Sequence, residues 1–146
     1  MRGWITPGLR RLTAAALLGI VALAGGRLAA AETLPVVTSF SILGDLTQQI
    51  GGDRVEVLSL VGPGADAHVY QPTPGDARRL ARAKLVVVNG LGFEGWIDRL
   101  IQSSGYRGGV VVASRGVEAM RLAGGEADRH PQHGDLDPHA WQDLAN

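Results

Sequence analysis

Residues 85–89, LVVVN, are a run of apolar β-branched residues without polar alternation, and residues 109–113, GVVVA, form a second such run. Continuous runs of this kind are typical of strands buried on both faces of a parallel sheet, because exposed hairpin strands alternate apolar and polar residues. Residues 35–40, PVVTSF, and 55–61, VEVLSLV, also have the composition of strands. The sequence therefore predicts four strands, of which the third and fourth are buried on both faces.

The segments between these runs have the spacing of helices. Residues 42–50 are predicted to form a first helix that Ser41 caps and a pair of glycines ends. Residues 73–83 open with a capping-box pattern and a proline in the first turn, and residues 93–101 carry a third apolar stripe. The positions predicted to face the sheet are Ile42, Leu43, Leu46 and Ile50 in the first helix and Phe93, Trp96, Ile97, Leu100 and Ile101 in the third. Because strand and helix alternate, we expect an α/β fold with a four-stranded parallel sheet flanked by helices.

Residues 1–31 have the three-part layout of a secretory signal peptide. Three arginines and no acidic residue come first, an uncharged apolar run covers residues 12–24, and small residues lead up to Ala31. A membrane anchor needs roughly 20 apolar residues, so the shorter run favours a cleaved signal over an uncleaved anchor. We therefore expect cleavage after Ala31, export to the periplasm and a mature domain of residues 32–146.

The charge of the predicted mature part is mildly negative. The whole chain carries 14 basic and 14 acidic residues, and residues 1–31 hold four arginines and no acidic residue, which leaves 10 basic against 14 acidic groups, a net charge of −4. Nucleic-acid binding needs a clustered basic face, so this balance argues against a nucleic-acid partner. The chain has no cysteine, hence neither disulfides nor a thiol for lipidation. We expect one packed domain and a freely diffusing monomer.

His68 lies in a loop that glycine and proline stiffen: residues 62–76 read GPGADAHVYQPTPGD and follow the second predicted strand. Pro72 and Pro74 restrict their own backbones and those of the residues before them, so the loop holds an upstream side chain at small entropic cost. In open α/β sheets, ligands bind at the carboxyl ends of the strands, so we expect His68 to face a crevice. The residues alone leave open a metal ligand and an imidazole bonded only to the backbone.

A second histidine, His139, follows the φ-restricted Pro138 in the stretch DPHAWQDLAN. A metal-bound imidazole usually donates its other ring proton to a carboxylate or a carbonyl, and Asp135 and Asp143 are near enough in sequence to accept it. Asp137 is predicted to cap a helix that Pro138 begins, and the two roles are compatible with each other.

His68 and His139 are 71 residues apart, so only the fold can bring their imidazoles together. Two presented imidazoles in a chain without cysteine suggest a borderline divalent metal ion. His130 and His133 lie in a loop rich in histidine and acidic residues, where they either collect metal weakly or are simply solvated.

Catalytic motifs are scarce in this chain. It lacks HExxH, GxSxG and a thiol nucleophile, so the common hydrolytic motifs get no support. A metal-dependent hydrolase would need a general base near an open coordination position, and Glu94 and Asp66 are the candidates. The glycine-rich turn at residues 89–92 lacks the phosphate-binding patterns and is predicted to be a tight strand-to-helix connection, with Glu94 near the helix N-terminus. We expect that the chain is not an enzyme.

Two spaced elements, D-x-H-x-Y-x-P-T-P at residues 66–74 and D-P-H-x-W at residues 137–141, carry a resemblance. They resemble the corresponding elements of the periplasmic zinc- and manganese-binding solute-binding proteins of ABC transporters, cluster A-I. Residues 36–90 and the stretch LGFEGWIDRL at residues 91–100 are similar to the same family, in the same order. The resemblance thus covers most of the predicted mature chain.

The resemblance implies two α/β lobes joined by a long helix, with a metal ion bound between them by two ligands from each lobe. His68 and His139 fall on the two ligands of the first lobe, and residues 32–146 correspond to that N-terminal lobe, with the chain ending where the linking helix would begin. The implied function is high-affinity capture of zinc or manganese in the periplasm for delivery to an inner-membrane ABC permease. Neutral imidazole ligands imply a metal affinity that falls as the pH falls through about 6.5. The alternatives are a metal-dependent hydrolase and a truncated metal buffer without a transporter partner.

Overall fold

The computed structural model describes residues 32–121 and 136–143 of the 146-residue chain. Strands and helices alternate over residues 34–112, and a short helical turn lies in the second described segment. The strands are β1, Leu34–Phe40; β2, Val55–Val61; β3, Leu85–Val88; and β4, Gly109–Val112. The α-helices are α1, Ser41–Gly51; α2, Pro74–Arg82; and α3, Ile97–Ser104, and short 3-10 helices cover Gly52–Arg54 and Ala140–Gln142.

The four strands form one parallel sheet in the order β2-β1-β3-β4. β1 pairs with β2, where Val37 lies opposite Leu58, and with β3, where Val37 lies opposite Val86. β3 then pairs with β4, where Val87 lies opposite Val111. This arrangement confirms the predicted α/β fold with a four-stranded parallel sheet. Because all strands run the same way, the loops that follow them meet at one edge of the sheet.

The core is formed by the central strands and the helices that cover them. α1 packs against β1 and β2, and α2 packs against α3 and β1. The largest fully buried aliphatic side chains come from β1, β2, α2 and β3: Val36, Val61, Leu80 and Val86. Full burial of one such side chain stabilises the fold by about 1.5–3 kcal/mol. The central strands therefore give the loops at the sheet edge a rigid base.

β4 is not the strand buried on both faces that its valine run predicts. Val110 and Val111 are 40% and 46% exposed, and Val112 is only partly buried. Among the strands of the described residues, β4 lies at one end of the order and has a single neighbour, whereas β3 lies between two strands and is buried as predicted. The prediction for β4 is wrong because a run of valines indicates a strand but not its place in the sheet.

α1 starts without the predicted serine cap. Ser41 is the first residue of the helix itself, and Phe40, the last residue of β1, occupies the N-cap position without a side-chain hydrogen bond. The strand thus passes directly into the helix, so the predicted Ser41 cap is wrong. The predicted glycine stop is confirmed, since Gly52 follows the helix with a φ of 54°, which favours glycine.

α1 contacts the sheet through a narrower face than predicted. Of the four apolar residues expected there, only Leu43 is buried. The other three have exposed fractions between 43% and 81%: Ile42, Leu46 and Ile50. Gly44 is the reason, because a Cβ at this position would lie 2.2 Å from Ser59 Oγ in β2. The missing side chain lets the helix approach the strand at Gly44. In this orientation the other three apolar residues lie outside the contact with the sheet and are exposed.

α2 begins with the predicted capping box. The Thr73 hydroxyl accepts a hydrogen bond from the Asp76 backbone N–H, and the Asp76 carboxylate accepts one from the Thr73 backbone N–H. Pro74 occupies the first turn, where its missing N–H has no intrahelical partner to lose. The sequence therefore identifies the start of this helix correctly.

α3 begins at Ile97, four residues after its predicted start at Phe93. Gly90, Leu91 and Gly92 have φ values of 85°, 54° and 76°, which an α-helix does not contain. The chain therefore turns directly after β3. A second turn follows, in which the Ile97 N–H donates a hydrogen bond to the Glu94 carbonyl at 3.0 Å, and the helix begins only after it. Most of the predicted apolar residues still enter the core: Phe93, Trp96, Ile97 and Leu100. The apolar pattern thus identifies the buried residues but not the start of the helix.

Some predictions concern parts of the chain outside the described residues. The signal peptide at residues 1–31, with its cleavage after Ala31, lies there, as do His130, His133 and Asp135. Among the residues that the structure describes, no helix is both long enough and apolar enough to cross a membrane.

Candidate metal centre

His68 lies in the loop that follows β2, at the sheet edge where the strands end. Asp66 Oδ1 accepts a hydrogen bond from the His68 backbone N–H at 2.8 Å, so the chain turns tightly just before the imidazole. His68 is partly buried and lines a surface cavity of about 550 Å³ together with Tyr70 and Trp96. The side chain therefore lies at a cavity and not in the interior of the sheet.

The far end of this loop is held by the buried carboxylate of Asp76. The carboxylate accepts hydrogen bonds from the Tyr70 hydroxyl at 2.9 Å, from the Thr73 N–H and hydroxyl at 2.8 Å each, and from the Arg79 guanidinium at 2.9 Å. Burial by itself would raise the pKa of Asp76, but these hydrogen bonds outweigh burial and lower the pKa below the ordinary value of a carboxyl group. Burial, followed by the hydrogen bond to Asp76, raises the pKa of Tyr70. The loop that carries His68 is thus fastened to the start of α2.

His139 lies between an isolated antiparallel bridge, Arg121 with Leu136, and the 3-10 helix Ala140–Gln142. Asp137 Oδ1 accepts hydrogen bonds from the His139 backbone N–H at 2.9 Å and from His139 Nδ1 at 2.7 Å. One carboxylate oxygen therefore fixes both the backbone and the ring of this histidine.

The carboxylate at His139 Nδ1 is that of Asp137, whereas the sequence suggests Asp135 and Asp143 as acceptors, of which Asp135 lies outside the described residues. The tight turn brings Asp137 Oδ1 back onto the residue two positions later. The predicted helix start at Pro138 is wrong, because the 3-10 helix begins at Ala140 and no side chain caps it. Asp137 thus holds the imidazole and does not cap a helix.

The imidazoles of His68 and His139 meet although 71 residues separate them. Their Nε2 atoms lie 3.2 Å apart, and their ring centroids lie 5.3 Å apart. Two nitrogen ligands of a tetrahedral zinc ion, each at about 2.05 Å from the metal, lie about 3.3 Å apart. Because a carboxylate accepts the hydrogen on His139 Nδ1, the Nε2 atom of the neutral ring keeps its lone pair on the side of His68. The spacing matches that of two nitrogen ligands on one ion.

The two histidines share a local arrangement, Asp-x-His, at residues 66–68 and 137–139. In each case the Oδ1 atom of the aspartate accepts the backbone N–H of the histidine two residues later. The same type of turn therefore presents both imidazoles. The repeated Asp-x-His spacing is a sequence signal that links the two aspartates.

Aromatic rings form the floor beneath the two imidazoles. Phe93 is buried, and its ring centroid lies 4.4 Å from that of His68 and 5.6 Å from that of His139, edge-to-face with both. Trp141 lies 4.8 Å from Phe93 and 5.3 Å from His139. Phe40, at the end of β1, lies 4.9 Å from Phe93. These contacts restrict the rotation of the imidazoles and exclude water from one side.

Glu94 is a buried carboxylate that holds the turn after β3. It is 4% exposed, and it accepts hydrogen bonds from the Ser39 hydroxyl at 2.5 Å, the Asn89 N–H at 2.7 Å and the Gly90 N–H at 3.2 Å. Glu94 lies near the N-terminus of α3, which begins three residues later at Ile97, but its carboxylate binds donors from the turn and from β1. The carboxylate is therefore occupied by donors from the interior of the protein.

Within residues 32–121 and 136–143, the histidine, cysteine, aspartate and glutamate side chains form no group of three or more that could hold a metal ion. His68 and His139 together offer two nitrogen ligands, and a cavity of about 420 Å³ lined by His139, Met120 and Asp143 lies beside them. A tetrahedral ion takes four ligands. An ion at this pair would therefore need further ligands from water or from other protein groups.

The known proteins similar to this chain are described as metal-uptake or metal-binding proteins. Residues 36–146 match the family described as ZnuA, zinc-uptake complex component A, periplasmic. The manganese-binding lipoprotein MntA of Halalkalibacterium halodurans is 41% identical over 115 residues, which cover 79% of this chain and 35% of that protein. The iron-binding protein YfeA of Yersinia pestis is 36% identical over 145 residues, which cover 92% of this chain and 45% of that protein.

Solved structures share the fold of this chain. The Mn-bound periplasmic metal binding protein from Candidatus Liberibacter asiaticus is similar with a TM-score of 0.65 at 31% identity, over 77% of this chain and 40% of that chain. The Cd-bound form of the same protein gives a TM-score of 0.65 at 32% identity, over 77% and 39%. This chain spans less than half the length of each of these relatives.

Proposed function

This chain belongs to the family of zinc-uptake complex component A, periplasmic, and from that premise we propose that it captures a divalent transition metal, zinc or manganese, in the periplasm. The metal is cargo, which an inner-membrane ABC permease receives. His68 and His139 are the ligands that the described residues contribute. The observation that carries the proposal is the distance of 3.2 Å between the Nε2 atoms of these two histidines.

The proposed ligands act as neutral nitrogen donors. Each imidazole offers its Nε2 lone pair to the ion, and the approach of the ion replaces the contact between the two rings. Asp137 accepts the hydrogen bond from His139 Nδ1, which fixes the tautomer and makes Nε2 a stronger donor. The edge-to-face contacts of Phe93 with both rings keep them in place while the ion arrives or leaves.

Two imidazoles are half of a tetrahedral ligand set. Because the chain spans less than half the length of its relatives, we propose that the other ligands belong to the rest of a full-length protein, in a second lobe that closes over the ion. The described residues are then the N-terminal lobe of a two-lobed receptor. In this arrangement the lobe alone binds metal weakly, with water in the remaining positions, and the complete protein binds it tightly.

Metal preference follows from the donor atoms. Imidazole suits zinc, whereas manganese prefers more carboxylate oxygen, and a site of given ligands binds zinc more tightly than manganese. The lobe alone should therefore favour zinc. Selection of manganese would need carboxylate ligands from the rest of the protein.

We propose that the protein catalyses no reaction. The two candidate bases have other partners: Glu94 is buried and accepts three hydrogen bonds from protein donors, and Asp66 accepts the His68 backbone N–H. The rival reading, a metal-dependent hydrolase, is tested by assaying the zinc-loaded chain against ester and phosphoester substrates. Turnover that disappears in Glu94→Gln or Asp66→Asn would support the hydrolase.

A half-length metal buffer without a transporter is the second rival. Genomic DNA downstream of the codon for Asn146 separates the two readings. A second lobe in that DNA, with neighbouring permease and ATPase genes, supports transport. A stop codon without such neighbours would support the buffer. The transport proposal also includes export to the periplasm and a monomeric receptor. Sedimentation of the purified chain checks whether the receptor is a monomer.

The ligand assignment is tested by zinc titration of the 146-residue chain by calorimetry. His68→Ala and His139→Ala should each weaken zinc binding, and the double variant should abolish the site. A matched control is the double variant His130→Ala and His133→Ala, which removes the same number of imidazoles from residues 124–135 and should leave the strongest site intact. Unchanged affinity after loss of both His68 and His139 would refute the proposal.

A further inference from the structure

The residues immediately before the two site histidines, Ala67 and Pro138, are both held by side chains from one segment of the chain. Trp96 Nε1 donates a hydrogen bond to the Ala67 carbonyl at 2.8 Å. Asn89 Nδ2 donates a hydrogen bond to the Pro138 carbonyl at 2.9 Å. Both hydrogen bonds are buried, and both donors belong to the connection between β3 and α3, residues 89–96.

Each of these hydrogen bonds completes a clamp on one peptide group. The Ala67 carbonyl and the His68 N–H belong to the same planar peptide unit. Trp96 binds the oxygen of that unit, and Asp66 binds its hydrogen. The peptide unit that enters His68 is therefore fixed from both sides.

The second histidine has the same clamp. The Pro138 carbonyl and the His139 N–H form one peptide unit, whose oxygen is bound by Asn89 and whose hydrogen is bound by Asp137. In both clamps the aspartate comes from the histidine's own turn, whereas the carbonyl donor comes from the same distant segment. That segment therefore connects two turns that are 71 residues apart.

The connecting segment is itself rigid. Asn89 and Trp96 are 2% and 4% exposed. Glu94 accepts the N–H groups of Asn89 and Gly90, and a hydroxyl of β1, that of Ser39, donates to the same carboxylate. A buried ionisable group with this many donors has little freedom to move.

We infer that the β3–α3 connection is a template that sets the distance between the two imidazoles, with Trp96 and Asn89 as its positioning residues. This inference rests on the proposed function, because the two imidazoles are the proposed metal ligands. Neither positioning residue touches the ion. Each fixes the backbone from which a ligand projects, so that the two Nε2 atoms stay close together before metal binds. Metal binding then costs little conformational entropy.

Trp96→Phe tests the hydrogen bond to the Ala67 carbonyl, because it removes the ring N–H and keeps a large aromatic ring. Asn89→Ser tests the hydrogen bond to the Pro138 carbonyl and serves as the second variant if the first fails to fold. Tyr106→Phe is the matched control: the Tyr106 hydroxyl also donates to a backbone carbonyl, that of Gly109 at 2.7 Å, but at the start of β4, away from the edge where the strands end.

Two measurements on the 146-residue chain are needed. The first is zinc affinity by competition with a chelator. The second is the nuclear Overhauser effect between the imidazole C–H protons of His68 and His139 in metal-free protein, which reports their distance without metal. Trp96→Phe and Asn89→Ser should each weaken zinc binding by about tenfold and reduce the Overhauser effect. Tyr106→Phe should change neither.

The outcomes separate the template from the ligand assignment. If both variants keep the Overhauser effect, the template inference is refuted, whatever happens to zinc affinity, because the loss of affinity would then have another cause. If the wild-type chain shows no Overhauser effect between the two rings, the inference is refuted as well. If the wild-type chain shows the effect and the variants lose it, but zinc does not bind, the template stands and the proposed function fails.

Discussion

Tyr70 donates a hydrogen bond from its hydroxyl to Asp76 Oδ2 at 2.9 Å. The same oxygen accepts the Thr73 N–H and hydroxyl, so a single buried carboxylate closes the loop that presents His68 and starts α2. The side chain of Asp76 is 1% exposed. Loop and helix therefore depend on the charge of one side chain.

Asp76→Asn should lower the free energy of unfolding by about 2 kcal/mol, because the neutral amide cannot keep the charge-assisted hydrogen bonds. Asp45→Asn is the matched control, since Asp45 is exposed on α1 and accepts a hydrogen bond from Gln49. Its loss should be under about 0.5 kcal/mol. Urea unfolding measures both, and equal losses would contradict the role of Asp76.

Acid should remove the contribution of Asp76. Its pKa is lower in the folded chain than the value of about 3.9 in the unfolded chain, so the unfolded state binds the proton more readily. The stabilisation is complete above the unfolded pKa and is lost as the pH falls through the folded pKa. The difference in unfolding free energy between wild type and Asp76→Asn should therefore shrink below about pH 4. A difference that stays constant on acidification would contradict this account.

Gly44→Ala should destabilise the chain by about 1 kcal/mol. A Cβ at Gly44 would lie 2.2 Å from Ser59 Oγ, and the resulting overpacking, typically about 1–3 kcal/mol, outweighs a helix-propensity gain of about 1 kcal/mol. In a Ser59→Ala background the nearest atom is gone, so the same substitution should become neutral or stabilising. A double-mutant cycle by urea unfolding measures the coupling. Additive effects would show that Gly44 does not set the contact between α1 and β2.

Asp137→Asn should weaken zinc binding by about tenfold, because the amide keeps the shape but loses the charge that makes His139 Nε2 a stronger donor. Asp143→Asn is the control for a general loss of negative charge, since Asp143 lines the same cavity. Its effect should be under about threefold, because the hydrogen bond from His139 Nδ1 goes to Asp137 and not to Asp143. If both variants lose affinity equally, the hydrogen bond to His139 Nδ1 has no special role.

The strands were predictable because apolar β-branched runs identify them wherever they lie in the sheet. The order of the strands was not predictable, since β3 and β4 contain the same run of valines although β4 lies exposed at one edge of the sheet. The start of α3 was not predictable either: the apolar stripe begins at Phe93, but residues 93–96 form a bend and a turn, and the helix begins at Ile97. Periodicity identifies the buried side chains of α3 but not those of α1, where three of the four predicted positions are exposed.

The two histidines of the candidate site could be singled out from the sequence, but the side chains that support them could not. The stiffened loop and the D-P-H-x-W element single out His68 and His139, while their distance of 3.2 Å depends on strand order. The hydrogen bond between Glu94 and Ser39 could not be predicted, because these two residues are distant in sequence. Trp96 was predicted to face the sheet, but its hydrogen bond to a backbone carbonyl in another loop has no local signal.

The most direct test of the account is a crystal structure of the zinc-loaded chain with an anomalous difference map at the zinc absorption edge. We expect the strongest peak to lie about 2.0–2.1 Å from both His68 Nε2 and His139 Nε2, with water in the remaining positions. A strongest peak at His130 or His133, or one that contacts only a single ring of the central pair, would contradict the claim that this sheet edge holds the metal.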